Sequence, residues 1–277
     1  MKMFFRRSFL LLSLVVISCA ENNVVYSPIE ADESIDAAPI SGFFKKHVLI
    51  EDYTGTWCGN CARVSYAIEQ AKAQSDKVVS VAIHHGNDPF NFVGIAPLKN
   101  LISPDNDLQL PQSRLNRITT WTFPEFNNVQ QALNLTSNNC GLGLALSSQV
   151  EGGNINLDVK VKYAQNYTGL RLVVYVLEDK LFYRQTNYSN FFGGVNPIPN
   201  FEHNHVLRAS LTNLLGDRMD NTNFFQTSTR NFSVAIPGNV SNSENMSFVA
   251  FVVDTNNNVI NVREAKINES QTFEENL

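Results

Sequence analysis

The chain has 277 residues, with 21 Lys and Arg against 26 Asp and Glu, and a formal net charge of −5. No segment combines a Lys/Arg cluster with interleaved aromatics, which excludes nucleic acid as a partner class. Beyond the N-terminal segment no run of about eighteen apolar residues occurs, so no later helix is expected to cross a membrane.

The chain opens MKMFFRRSFLLLSLVVISCA. Basic residues precede an apolar stretch of signal-peptide length, too short for a spanning helix. Val16-Ile17-Ser18-Cys19 resembles the lipobox of bacterial lipoproteins, whose cysteine is lipidated and becomes the new N-terminus. That resemblance implies a signal peptide over 1–19, Cys19 as lipid anchor and a membrane contact through the N-terminal lipid. Arg6-Arg7 leaves both the general and the twin-arginine export routes open. Residues 20–42 are acidic, contain Pro and lack periodicity, and are expected to form a flexible tether.

Val48 to Arg63, VLIEDYTGTWCGNCAR, is the stretch around which the folded part is expected to form. A strand-like apolar run carries Asp52, turns at Thr-Gly-Thr, and delivers Trp57, Cys58 and Cys61 at the start of a predicted helix. Unpaired N–H groups and the helix macrodipole favour a thiolate at Cys58, with Cys61 one turn on to close a disulfide. The stretch resembles the thioredoxin active site. The resemblance implies a redox Cys58–Cys61 pair, Asp52 as the carboxyl that manages the proton of Cys61, and Trp57 on the peptide-binding surface. Two other readings stay open: half of a zinc site, for which a second ligand pair is missing, and a static structural disulfide, which an exported protein permits. Cys140 is expected to be a buried core thiol.

Val64–Gln74 has helical spacing, and KVVSVAIHH (77–85) reads as a second parallel strand, with His84 and His85 at its end. Residues 86–111 read as an insertion. Ser113–Ile118 is expected to be a short helix. In TTWTFPEF (119–126) Pro124 is the candidate for the cis-proline that opens a strand in the thioredoxin family, which with Phe123 and Trp57 would make the substrate-binding surface. A thioredoxin-like domain is thus expected over 43–139.

From residue 140 the pattern changes to short alternating or β-rich runs separated by turn residues, for example Leu142–Gln149, Asn154–Tyr163, Leu170–Glu178, Phe248–Asp254 and Val259–Ala265. These predict a β-sandwich over 140–267, with 268–277 as a tail. The aromatic, turn-rich stretch 188–205 is expected to fold down on the body rather than stand out as a binding loop. His203-Asn204-His205 would place two imidazoles on one strand face, without a third ligand nearby in sequence, so no metal is assigned.

The expected fold class is therefore an α/β thioredoxin-like domain followed by an all-β immunoglobulin-like antiparallel sandwich. The order of lipobox, tether and these halves, with VLIEDYTGTWCGNC and HNHVLRASL, resembles the 28-kilodalton outer-membrane protein family of Gram-negative lipoproteins. That resemblance implies an exported lipoprotein of the outer membrane. Two functions are expected from the whole: a thiol-disulfide oxidoreductase acting on thiol- or disulfide-bearing exported proteins without a cofactor, or a non-enzymatic binding or structural lipoprotein whose CxxC is a structural disulfide.

Overall fold

The computed structural model describes residues 43–103, 105 and 107–276. The signal peptide, Cys19 and the tether over 20–42 lie outside the described residues. After β1 (Phe44–Lys46), the run VLIEDYT forms β2 (Val48–Thr54), buried along its whole length. Helix α1 (Ala62–Gln74) then returns the chain to β3 (Val78–His84), which pairs parallel with β2 from Val48↔Val78 to Thr54↔His84. The helix turns Val64, Ala67, Ile68 and Ala71 onto Val48, Ile50 and Val78, the 3.6-residue stripe that its spacing predicts.

The stretch 86–111 contains α2 (Ala96–Ile102), which opens with Pro97 in its first turn, where a missing N–H costs nothing. Ile95 and Leu98 are buried against the sheet face that carries Leu49, Tyr53, Val81 and Ile83. Part of the insertion is therefore a cover for one sheet face. Ser113–Ile118 is not a helix. Gln112–Leu115 forms β4, antiparallel to β2, and is followed by Asn116 and Arg117 with positive φ of 47° and 76° and by β5 (Thr119–Thr120). The left-handed pair lets Asn116 accept the Leu49 N–H (3.1 Å) through its side chain and sends Arg117 inward. Pro124 does not open a strand either. It precedes a 3-10 turn over Glu125–Asn127, and α3 (Val129–Leu133) follows.

β6 (Ser137–Cys140) pairs with β1. β7 (Leu142–Glu151) and β8 (Asn154–Tyr163) form a hairpin across Gly152-Gly153, both with positive φ, which glycine adopts without a Cβ penalty. Next come β9 (Arg171–Glu178), β10 (Leu181–Gln185), β11 (Ile198–His203), β12 (Val206–Ser210) and β13 (Asp217–Arg218), then β14 (Thr227–Ala235), β15 (Met246–Val253) and β16 (Val259–Lys266). β14 adds to β8, and β10 and β11 form a separate two-stranded ribbon.

This architecture corrects the expected fold class. An α/β thioredoxin-like domain followed by an immunoglobulin-like sandwich would divide the strands between separate sheets. Instead a nine-stranded sheet runs β16-β15-β9-β12-β3-β2-β4-β5, with β13 on β9, through both halves of the sequence. Sixteen strands stand against three α-helices among the described residues. The physical cause lies at two places. β12 pairs parallel with β3 at Val206↔Ala82, covering an edge that would otherwise be open. β9 and β15 are buried along nearly their whole length, as strands in a sheet covered on both faces must be. Leu172, Val174 and Val176 turn one way onto β7 and β8, whereas Val173, Tyr175 and Leu177 turn the other way towards Leu49, Ile83 and Leu98.

Candidate functional site

The CGNC segment sits where β2 ends and α1 begins. Cys58 N–H donates to the Gly55 carbonyl (3.0 Å), Cys61 N–H to the Cys58 carbonyl (3.2 Å), and Val64 N–H to the Cys61 carbonyl (2.9 Å). The helix thus starts one turn later than the sequence suggested, with Cys61 as its N-cap and Cys58 in the preceding turn. The two sulfurs are joined in a disulfide, and both residues are buried, at 5% and 1% exposure. Cys140 is buried and free, and burial pushes its thiol above the ordinary range.

Trp57 is exposed, and its Nε1 donates to the His85 carbonyl (3.0 Å). Gly55 and Gly86 lie under the indole. A Cβ at Gly55 would come within 2.9 Å of Nε1, and Gly86 has φ +86°. His84, at the end of β3, is buried, with Nδ1 3.1 Å from Asp88, which also accepts the Thr56 N–H (2.6 Å). Burial pushes the Asp88 carboxyl up, but His84 and the backbone N–H groups of Thr56 and Phe90 outweigh it and hold the carboxyl below its ordinary range.

Asp52 is buried on the face of β2 that meets α1, and its Oδ1 has no hydrogen-bond partner. Burial holds this carboxyl well above the ordinary carboxylate range, Glu125 pushes it further, and Arg63 opposes both. Arg63 also joins the two loops of the site. It pairs with Glu125 (2.9 Å), donates to the Asn60 carbonyl (3.1 Å), and lies 4.8 Å over the Phe123 ring. The Phe123-Pro124 peptide bond is cis, and Phe123 is exposed. Arg63 therefore ties the CGNC turn to the Phe123–Glu125 loop.

The Asp52 shift fixes the sign of a pH effect. Its folded-state pKa is raised, so the stability of its protonated form is complete below about pH 4 and is lost as pH rises through the folded value. Asp88 runs the other way, and its contribution is lost as pH falls through its depressed pKa. Asp52→Asn is expected to match the wild type near pH 4 and to exceed its unfolding free energy by about 1 kcal/mol or more at pH 8, since a buried group without a partner costs on that order. Denaturant unfolding at both pH values reads this, and a variant that tracks the wild type at both would show that Asp52 is not held protonated.

Gln185, the last residue of β10, and Thr186 were not singled out from the sequence, whereas Tyr188 opens the aromatic stretch that was. Gln185 Nε2 donates to the carbonyls of Gly55 (3.2 Å) and Cys58 (3.0 Å). Thr186 N–H donates to the Thr56 carbonyl (2.9 Å), and Tyr188 N–H to the Gly59 carbonyl (2.7 Å). The Tyr188 ring lies so close over Gly59 that a Cβ there would come within 2.3 Å of it. Farther on, Phe191 stacks on Tyr66 of α1 at 4.1 Å and meets Phe126 edge-on. Of the aromatic stretch Phe191 is folded onto α1, whereas Tyr188 and Val195 keep large exposed surfaces, and residues 185–188 form a strap across the disulfide turn. His203 and His205 do not share a strand face. His203 ends β11, whereas His205, at φ +57°, faces Asp179 at 3.2 Å.

A search of curated proteins finds no match. Among solved structures, HBP35 of Porphyromonas gingivalis matches at 17% identity over 83% of this chain and 78% of that chain, with a TM-score of 0.64, a shared fold. A domain of the outer membrane lipoprotein Omp28 from Porphyromonas gingivalis also matches, at 21% identity over 48% of this chain and all of that chain, with a TM-score of 0.32. The family model described as outer membrane protein Omp28 matches residues 107–271, from before β4 to beyond β16. The chain therefore belongs to the Omp28 family of outer membrane proteins, and its place is the outer membrane of the cell envelope.

Proposed function

We propose that this chain is a non-enzymatic binding or structural lipoprotein, anchored through a lipid on Cys19, in which the Cys58–Cys61 disulfide is a staple. The observation that carries this reading is the strap. Four hydrogen bonds from Gln185, Thr186 and Tyr188 reach the carbonyls of Gly55, Thr56, Cys58 and Gly59. Those carbonyls, and the surface over the turn, are occupied by the chain itself. A thiol attacking either sulfur needs an in-line approach to a buried atom, and exchange slows with lost access. The disulfide then fixes the turn against which the strap packs.

A second reading is favoured by one specific observation, the buried, partnerless Asp52 carboxyl beneath α1. In it, Cys58–Cys61 exchanges with thiol- or disulfide-bearing exported proteins across the exposed Trp57 and Phe123. A partner dithiol is oxidised as the pair takes two electrons and two protons, with Asp52 passing its proton to Cys61 as that sulfur leaves and regaining one from solvent. Alkylation separates the two readings. After mild reduction of the full chain in detergent, the staple reading expects slow and equal labelling of Cys58 and Cys61. Fast labelling of Cys58 alone, with partner proteins trapped by Cys61→Ala, would establish the exchange reading instead.

A further inference from the structure

Beneath the strap side of α1 the packing between helix and sheet changes character. Near the start of β2 and β3 it is apolar, with Val48, Ile50 and Val78 against Ile68 and Ala71. Towards the strand ends it opens into a cavity of about 100 Å³ roofed by β10 and β11. That is room for several waters or for an organic molecule of a few heavy atoms. Four of its lining side chains carry a buried atom that has no hydrogen-bond partner: Asp52 Oδ1, Ser80 Oγ, His203 Nε2 and His205 Nδ1, the last of which faces Asp179 at 3.2 Å. Such atoms normally find partners, because leaving one dry is costly. The three without a charged partner, around one cavity, point to something that binds there.

The chemistry of these atoms restricts the occupant. The His203 ring donates to the Tyr183 carbonyl, and burial pushes its pKa down to about 3, so Nε2 presents a bare lone pair. Ser80 Oγ can both donate and accept, and Asp52 accepts once ionised. Glu69 and Glu202 lie exposed at the rim, and the Glu69 carboxyl is raised by burial without a cation to oppose it. Lys72 is the cation of the lining; burial pushes its pKa down, and Glu264 and Asp179 oppose that. With Asp52 ionised, the orphan atoms match hydrogen-bond donors and positive charge. No group of three or more His, Cys, Asp and Glu among the described residues is arranged to hold a metal ion. Ile68, Ala82 and Phe201 supply apolar wall.

We propose that this cavity is a binding site for a small primary ammonium compound. Its three N–H donors meet Asp52, Ser80 and His203, and its short aliphatic chain lies against Ile68, Ala82 and Phe201. Neither cysteine lines the cavity, and binding there does not require the disulfide to turn over; Asp52 is the one residue shared with the exchange reading. Binding ionises Asp52 and releases one proton. The other charged or titratable groups that face Asp52 or line the same cavity are Arg63, Glu69 and Lys72 from α1, His84 from β3, Glu125 from the 3-10 turn, and Glu202, His203 and His205 from the β11 end. Asp52 has the only carboxyl among them that is both buried and unpaired, because Glu125 is held by Arg63.

The test uses three near-isosteric probes, n-propylammonium, propionate and n-propanol, titrated calorimetrically into the full chain in detergent at pH 7. Running each titration in two buffers of different ionisation enthalpy counts the protons released. The expected result is saturable binding of n-propylammonium at least tenfold tighter than the other two, with proton release, and a loss of tenfold or more in Asp52→Asn. The carboxyl carbon resonance of Asp52 in the unmodified chain, moving to its ionised position as n-propylammonium is added, gives the same answer without a variant. Equal binding of all three probes, preference for propionate, or absence of saturation would overturn the proposal. So would an Asp52→Asn chain that binds n-propylammonium unchanged.

Discussion

Replacing Arg117 by methionine is expected to lower the unfolding free energy by about 3–5 kcal/mol, the usual result of stranding one buried charge. Arg117 is fully buried; its Nη2 donates to Glu51 Oε1 (3.0 Å) and to the Tyr175 hydroxyl (2.8 Å), and its guanidinium lies 4.7 Å over the Phe251 ring. Burial pushes the guanidinium pKa down, but Glu51 and Tyr175 outweigh it and hold the group charged. The arrangement joins β2 to β9 and β15 on one face of the nine-stranded sheet, so it reports on the sheet that unites the two halves of the chain. Adding Glu51→Leu to Arg117→Met removes the stranded carboxylate and should recover most of the loss, since an apolar replacement of a whole buried pair is often neutral or better. A denaturant series on the two single variants and the double variant measures the coupling. A double variant no better than Arg117→Met alone would mean that the loss comes from packing with Phe251 rather than from an unpaired Glu51.

Gly59→Ala is the second large effect. The backbone of Gly59 needs no special φ, so the cost of alanine comes from contact alone, a methyl placed within 2.3 Å of the Tyr188 ring. Overpacking of this kind costs about 1–3 kcal/mol when neighbours must move. If the strap is what shields the disulfide, Gly59→Ala should also raise the rate of reduction by dithiothreitol, because the ring that yields is the one above the turn. Tyr188→Ala should make the substitution at Gly59 nearly free and give the same faster reduction by itself. Reduction of Gly59→Ala and Tyr188→Ala at the wild-type rate would separate the strap from protection of the disulfide.

The parts of this molecule that were legible in the sequence are those set by local pattern. The βαβ unit around CGNC, the β7–β8 hairpin with its Gly-Gly turn, and the β-rich runs that became β9, β15 and β16 each carry their own periodicity or turn chemistry. What was not legible depended on pairing at long range. That β12 would add to β3 turns on one parallel contact, Val206↔Ala82, between residues far apart in sequence, and no propensity of either segment encodes it. Ser113–Ile118 misled because Arg and Leu are good helix formers, whereas the Asn116-Arg117 pair is held in left-handed backbone by Leu49 and Glu51.

The site divides in the same way. Cys58, Cys61, Asp52 and Trp57 were singled out because they lie within ten residues of one another, and the disulfide is in place. Phe123 and Pro124 were singled out through family resemblance, and Arg63 links them to the turn. Gln185 and Thr186 were missed, and Tyr188 was read only as the start of an aromatic stretch. Their role lies largely in backbone N–H groups and one amide, groups that carry no sequence signature. The one available hint was the density of aromatics just beyond them, of which Phe191 anchors the segment on Tyr66. Asp88 and Glu125 were missed too, since each matters through a partner, His84 or Arg63, that only the fold brings near.

The reduction potential of the Cys58–Cys61 pair, measured in the full chain by equilibration against a thiol-disulfide buffer, tests the central claim most directly. A staple held under the strap is expected to lie below about −300 mV, out of reach of the glutathione pool. A potential between about −120 and −270 mV, the range of working oxidoreductases, would contradict the staple and make thiol-disulfide exchange the function of this site.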